Sequence, residues 1–149
     1  MNLLFDTNIL LQFARSLNPK LLMQLVNPKN QEVFVSIVSV AELKSISLQN
    51  NWGTKKLQVI NAFLDELAFI EINKLLINTY VEIDAFSQCK NPSYVNYPFI
   101  TPRNMGKNDL WIASTAALLG LKLVTTDADF NHLDQVFLEV QYLEPQTLR

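Results

Sequence analysis

Four acidic residues stand just past apolar runs in this chain, a position from which carboxylates can gather at one edge of a folded sheet. Asp6 follows Asn2-Leu3-Leu4-Phe5, Glu42 follows Val33-Phe34-Val35-Ser36-Ile37, Asp109 opens a helical pattern, and Asp127 follows Leu123-Val124-Thr125-Thr126. In a parallel α/β sheet the carboxyl ends of the strands form one rim, and ligand chemistry collects there. Carboxylates sharing that rim repel one another: at about 5 Å and an effective dielectric of about 20, each pair costs roughly 3 kcal/mol. Such a cluster persists when some members are protonated or a cation sits among them. Hard oxygen donors favour Mg²⁺ or Mn²⁺, so the expectation is a metal-dependent enzyme.

Each acid also has a plain structural role to weigh. Any residue of Asp6-Thr7-Asn8, at a turn from strand to helix, can serve as an N-cap. Ser39-Val40-Ala41-Glu42 has the form of a capping box, in which Glu42 reaches back to the amide of Ser39; taken singly, that is its better reading. Asp109 follows Gly106-Lys107-Asn108 and suits the positive end of a helix dipole. Its own face, with Ala113, Ala116, Ala117 and Gly120, is small enough to lie close against a sheet. Asp127 and Asp129 flank Ala128 in a turn; Asp127, nearer the strand, is assigned to the site and Asp129 a supporting role. Asp65, Asp84, Asp134, Glu66, Glu71, Glu82 and Glu139 have no rim position and are expected on solvated surface. The weight lies in all four acids falling at equivalent topological places.

The elements that must hold these acids follow from pattern. Residues 2–5 read as a buried strand and 8–14 as a short helix; Asn18-Pro19 is an N-cap followed by proline, starting a helix to about Val26. Residues 33–37 are β-branched and aromatic, a second strand. Helices are expected over 39–48 and 54–67, a third strand over 68–72, and a helix over 74–87 with Leu75, Ile83 and Phe86 near its apolar side. Residues 89–107 carry Pro92, Pro98 and Pro102 with Tyr94, Tyr97 and Phe99 between them, a long irregular stretch that reads as a lid or interaction loop. Residues 109–119 form a helix stopped by Gly120, a C-cap. Strands at 121–125 and 137–143 complete about five. Alternating strands and helices imply a three-layer α/β/α sandwich around a central parallel sheet, with residues 1–149 as one domain.

Bulk properties narrow the class. At 149 residues, 49% hydrophobic and 17% charged, the chain suits one compact domain with a real core. The stretch from 110 to 121 is too short to span a bilayer, and the start has no basic leader of a signal peptide. One cysteine, Cys89, rules out an intrachain disulfide and suits a reducing cytosol; it is expected to be an inert helix-end residue. A net charge of −2 gives no footprint for a DNA-coating protein, although bound cations can supply local positive charge to a nuclease. His132 is the only histidine, which excludes two-histidine acid/base catalysis. A serine triad around it lacks the Gly-x-Ser-x-Gly turn.

Four segments, in order, resemble the motifs of PIN-domain nucleases, especially VapC-type toxins: Leu4-Phe5-Asp6-Thr7-Asn8-Ile9-Leu10, Ser39-Val40-Ala41-Glu42-Leu43, Asn108-Asp109-Leu110-Trp111-Ile112-Ala113 and Val124-Thr125-Thr126-Asp127-Ala128-Asp129-Phe130. The resemblance covers essentially the whole chain. It implies a sheet sandwiched by helices, Mg²⁺- or Mn²⁺-dependent endoribonuclease activity in the cytoplasm, a homodimer, and repression by a cognate antitoxin encoded alongside. Asp6, Glu42, Asp109 and Asp127 match the acidic quartet, and Thr7 or Asn8 and Thr126 match its polar neighbours. The segment from 90 to 107 is longer and richer in proline and aromatics than is usual in small VapC-like proteins, which bears on substrate choice and antitoxin docking.

On that reading Asp6, Asp109 and Asp127 hold one or two Mg²⁺ ions, directly or through waters. The metal activates water for attack on an RNA phosphodiester, Glu42 orients that water or accepts its proton, and Thr126 and Asn8 fix carboxylate rotamers. Arg103 and Lys107 are candidates for RNA backbone contacts. Tyr94, Tyr97 or Phe99 could stack on an unpaired base, with packing beneath the loop the expected role of at least two. The alternatives are a PIN-like binding or scaffold protein whose acids no longer work together and, last, a phosphatase-like hydrolase. The latter needs an acid two positions beyond Asp6, where Asn8 stands.

Overall fold

The structure is a computed structural model and describes residues 1–148. The apolar run Leu3–Phe5 forms a wholly buried strand, β1, and the chain turns at extended Asp6 directly into helix α1 (Thr7–Arg15). Helix α2 (Pro19–Val26) starts as Asn18-Pro19 implies, with the Asn18 side chain accepting from the Leu21 amide. Strand β2 (Val33–Ser36) runs without a loop into α3 (Ile37–Gln49).

That junction corrects the expected capping box. Ser36, not Ser39, is the N-cap: its backbone is extended and its hydroxyl accepts from the Val38 amide at 3.1 Å. Ile37 therefore belongs to the helix although its β-branch suits a strand. Glu42 lies beyond the first turn of α3, and its carboxylate bonds to another helix. Ser39 is buried, its hydroxyl without a hydrogen-bond partner.

Helix α4 (Thr54–Asp65) and strand β3 (Ala68–Ile70) follow, both shorter than the pattern suggested. The helix expected over 74–87 divides. Asn73 caps a 3₁₀ turn, Lys74–Leu76, before α5 (Ile77–Ser87) begins. The turn rotates Leu75 into solvent, where it is 69% exposed, and buries Leu76 instead; Ile83 and Phe86 are buried as expected. Helix α6 (Lys107–Leu119) ends where Gly120 takes a left-handed conformation at φ 66°, costly for any residue with a Cβ. Strand β4 (Lys122–Thr125), a 3₁₀ turn (Ala128–Leu133) and strand β5 (Glu139–Tyr142) complete the sheet.

All pairings are parallel and the strand order is β3-β2-β1-β4-β5. Alternate side chains of β1 serve opposite faces. Leu3 and Phe5 join Ile9, Phe13, Leu43 and Leu64 in one core, while Leu4 joins Ile83, Phe86, Ile112 and Leu123 in the other. Helices thus cover both faces, the α/β/α sandwich implied by the alternating elements. Among the described residues no helix is long and apolar enough to cross a membrane.

The irregular segment between α5 and α6 is packed down. Phe86 gathers Tyr94, Tyr97 and Phe99 at ring-centroid distances of 4.8, 5.3 and 5.5 Å. Phe99 is buried, and the Tyr97 hydroxyl donates to the Asn91 carbonyl while accepting from the Asn91 amide. All three rings anchor the segment, so none is laid out as a stacking platform.

Candidate active site

The strand order sets where a site can form. The chain leaves β1 on one side to build β2 and β3 and returns on the other for β4 and β5. The reversal lies between β1 and β4, and beyond their carboxyl ends such sheets open a crevice. Asp6 immediately follows β1, and its amide donates to the Val124 carbonyl of β4 at 3.1 Å.

Two threonines tie three of the acids together. One Asp6 oxygen accepts from the Thr7 amide at 2.7 Å and the other from the Thr125 hydroxyl at 2.7 Å. Thr125 Oγ1 also accepts from the Asp127 amide at 2.9 Å, and the Thr7 hydroxyl donates to Glu42 Oε1 at 3.0 Å. These bonds fix the carboxylate rotamers and leave Asp6 3% exposed. Asp127 caps the following 3₁₀ turn, one oxygen accepting from the Asp129 amide at 2.9 Å. Asp127 thus caps the turn as well as standing at the rim, and Asp129 supports it through its backbone amide.

Asp109 arrives from the other side. It lies in the first turn of α6, half-buried, where a carboxylate meets the positive end of the helix. Fully buried Ala113 and Ala116 let the helix sit close, as their small size requires. Glu42, Gly106, Lys107, Asn108 and Asp109 line one shallow cleft. The four acids therefore do not occupy equivalent places: Asp6 and Asp127 follow strands, whereas Glu42 and Asp109 reach the rim from helices.

Electrostatics show that the acids sense one another. Burial raises the Asp6 carboxyl from its usual 3.8 to about 6, Thr125 and Thr7 pull it back by hydrogen bonding, and Asp127 and Glu42 push it up. Asp109 rises to about 7, first through burial and then through the charges of Asp6, Asp127, Glu42 and Asp129. Among the described residues no three His, Cys, Asp or Glu side chains stand close enough to hold one ion in common.

Sequence reasoning passed over Thr125. Among the described residues, the side-chain hydroxyls that bond the acids are those of Thr7, one of the expected supporting positions, and Thr125; the other expected positions, Asn8 and Thr126, are half-buried beside them. The available signal was a polar residue closing a buried strand, whose side chain must find a partner at the rim. Arg103 and Lys107 are both exposed, Lys107 in the shared cleft and Arg103 with its guanidinium over the Phe99 ring at 5.3 Å. His132 meets Ser87 Oγ at 2.8 Å, but Ser87 is fully buried and offers no nucleophile to a substrate.

An all-parallel α/β/α sandwich with carboxylates gathered at its switch point defines the class. The model of the PIN domain matches residues 3–136, and the chain belongs to that family. Its fold is that of solved VapBC chains. A chain of VapBC2 from Rickettsia felis, solved with a promoter DNA fragment, is 22% identical at a TM-score of 0.73, over 95% of this chain and 98% of that one. Chains of DNA-bound VapBC from Salmonella typhimurium and of VapBC-1 from nontypeable Haemophilus influenzae each reach 0.69 over the same shares, at 17% and 21% identity. Comparison with curated proteins gives no match.

Proposed function

We propose that this protein is a divalent-metal-dependent endoribonuclease and the toxin of a toxin–antitoxin pair, with Asp6, Glu42, Asp109 and Asp127 as its catalytic acids. The observation that carries the reading is that the charges of Glu42 and Asp127 act on both Asp6 and Asp109 beyond β1 and β4. Raised carboxyl pKa values in one crevice are the electrostatic signature of a site built for a cation. The donors are all oxygen, which suits Mg²⁺ or Mn²⁺. Because no three acids share a point, Asp6, Asp109 and Asp127 would hold such an ion partly through its waters, as Mg²⁺ prefers. A bound divalent ion would supply water activation and neutralisation of charge on the phosphoryl oxygens.

The chain's own groups do the rest. Glu42, held by Thr7 beside the cleft, orients the attacking water and accepts its proton. Thr125 and Thr7 keep Asp6 in one rotamer, and the Asp129 amide does so for Asp127. Lys107 at the cleft and Arg103 beyond it are placed to meet RNA phosphates. VapBC complexes among the structural neighbours support an antitoxin partner, and we extend to this chain a homodimer in the cytoplasm.

The test is cleavage of single-stranded RNA with Mg²⁺ or Mn²⁺. Asp6→Asn and Asp109→Asn should each abolish cleavage while the far-UV circular dichroism stays that of the parent; full activity in either would refute the assignment. A second reading, a binding protein with non-cooperating acids, is favoured by the absence of a shared three-acid point among the described residues. A parent chain that co-purifies with a partner yet cleaves no RNA with either metal would establish that reading instead.

A further inference from the structure

Beside the acidic rim, between the segment that follows α5 and the turn that follows β4, lies a groove of about 740 Å³. Phe99, Arg103 and Asn104 form one wall; Asp129, Asn131 and His132 form the other. A volume of that order is ample for a nucleotide. Ala128 and Asp129 of the groove lie in the turn that Asp127 caps, and Met105 of the groove precedes Gly106 of the cleft that holds Asp109, so the groove runs beside the rim.

Both walls are fastened. The Arg103 amide donates to the Ser87 carbonyl at 2.7 Å, and Ser87 Oγ bonds His132 Nε2 at 2.8 Å. That bond makes the His132 ring a strut between the two walls. Burial and the nearby Arg103 charge lower its pKa below the usual 6.5, so the strut is neutral at physiological pH. What the groove offers a ligand is therefore the Arg103 guanidinium, the Asn131 amide, the Asp129 carboxylate, Asn104 Nδ2 (its Oδ1 already accepts from Gln88 Nε2 at 3.0 Å) and Asp134 Oδ2 (its Oδ1 accepts from the Val140 amide at 2.8 Å).

That set does not suit a bare polyanion, because two carboxylates face it along with one cation. It suits a nucleotide with its base turned inward. Exocyclic amines on base edges donate to carboxylate and amide oxygens, while a phosphate meets the guanidinium. Those edges are free only on an unpaired base.

Resting on the nuclease reading, we propose that this groove binds the nucleotide next to the cleaved linkage, with its phosphate on Arg103 and its unpaired base against Asn104, Asn131 and Asp129.

Two measurements on the full chain test this. In the cleavage-dead Asp6→Asn background, anisotropy of a fluorescein-labelled single-stranded RNA should show Arg103→Gln weakening binding about tenfold and lowering the salt slope by about one. The labelled duplex of the same sequence should bind more weakly than the strand. In the otherwise native chain, Arg103→Gln should raise KM severalfold with kcat within about twofold, and Asn131→Ala should change which bases are preferred beside the cut. A parent that cleaves RNA while Arg103→Gln matches it in KM and in binding overturns the groove alone, as does a duplex bound as tightly as the strand. A parent that neither binds nor cleaves RNA with Mg²⁺ or Mn²⁺ overturns the nuclease reading and the groove together. Arg103 is an exposed side chain, so equal melting temperatures will show that the fold is intact.

Discussion

Replacing Asp109 by asparagine keeps the side chain's size and removes its charge, which makes it a direct probe of the crowding at the rim. The Asp109 carboxyl is shifted from 3.8 to about 7 by burial and by Asp6, Asp127, Glu42 and Asp129. Hydrogen bonding is not among the causes, so the substitution breaks no bond that offsets the gain. Raising a carboxyl from 3.8 to about 7 corresponds to about 4 kcal/mol if the group were wholly shielded. Asp109 is only half-buried, and solvent screening reduces this to on the order of 1–2 kcal/mol.

The sign follows from linkage. Between about 4 and about 7 the native state holds a proton that the unfolded state has released, so metal-free stability falls as pH rises through that window. Below it both states carry the neutral acid, and above it the native carboxylate bears the full penalty. Asp109→Asn should therefore melt higher than the parent in EDTA at about pH 8.5, by roughly 3–6 °C for a chain of this size. The gap should close by about pH 4. Adding Mg²⁺ at the higher pH should stabilise the parent more than the variant, because only the parent keeps that charge for the ion to neutralise. Equal melting temperatures at high pH in EDTA, or a gap that persists unchanged into acid, would refute the reasoning.

Four further outcomes follow. Thr125→Val leaves a buried Asp6 oxygen without its donor and should cost about 1–3 kcal/mol by urea unfolding, with cleavage falling as well. Ser36→Ala removes the cap of α3 and should cost about 1 kcal/mol, whereas Ser39→Ala, which loses no cap bond, should cost less on the same unfolding curves. Excess EDTA should stop RNA cleavage, and chelator-resistant activity would point to contamination or another mechanism. Mn²⁺ affinity measured by calorimetry should weaken as pH falls through about 7 to 6, because Asp109 and Asp6 take up protons there.

Much of the fold was legible because its signals are local. Pro19 after Asn18 and Gly120 after an apolar helix fix ends by backbone chemistry that tertiary packing did not override. The failures have two causes: a side chain's partner lay elsewhere in the chain, or a nearer cap took the amide first. Ser39 and Glu42 have the spacing of a capping box, but Ser36 reaches the free amide first and Glu42 is claimed by Thr7, 35 residues away in sequence. Thr125 and Thr126 are indistinguishable by type, and only the strand register, which sets Val124 opposite Phe5, decides which hydroxyl meets Asp6. Leu75 reads as core at helical spacing until the Asn73 cap inserts a 3₁₀ turn before α5.

The same bonds explain how the chain tolerates so much negative charge at one place. A hydrogen bond to a charged group contributes about 1.5–3 kcal/mol, comparable with the roughly 3 kcal/mol of repulsion between neighbouring carboxylates. Asp6 receives two such bonds, and Glu42 and Asp127 one each, from donors the backbone already positions. Asp109 has no such donor among the causes of its shift, and its carboxyl, at about 7, stands above that of Asp6 at about 6. The rim is therefore uneven by construction. Three acids are held ready by threonines and amides, and the fourth comes in on a separate helix with its charge uncompensated. That arrangement makes Asp109 more dependent on a cation for its ionised form than Asp6, and it takes up a proton before Asp6 when no cation is supplied.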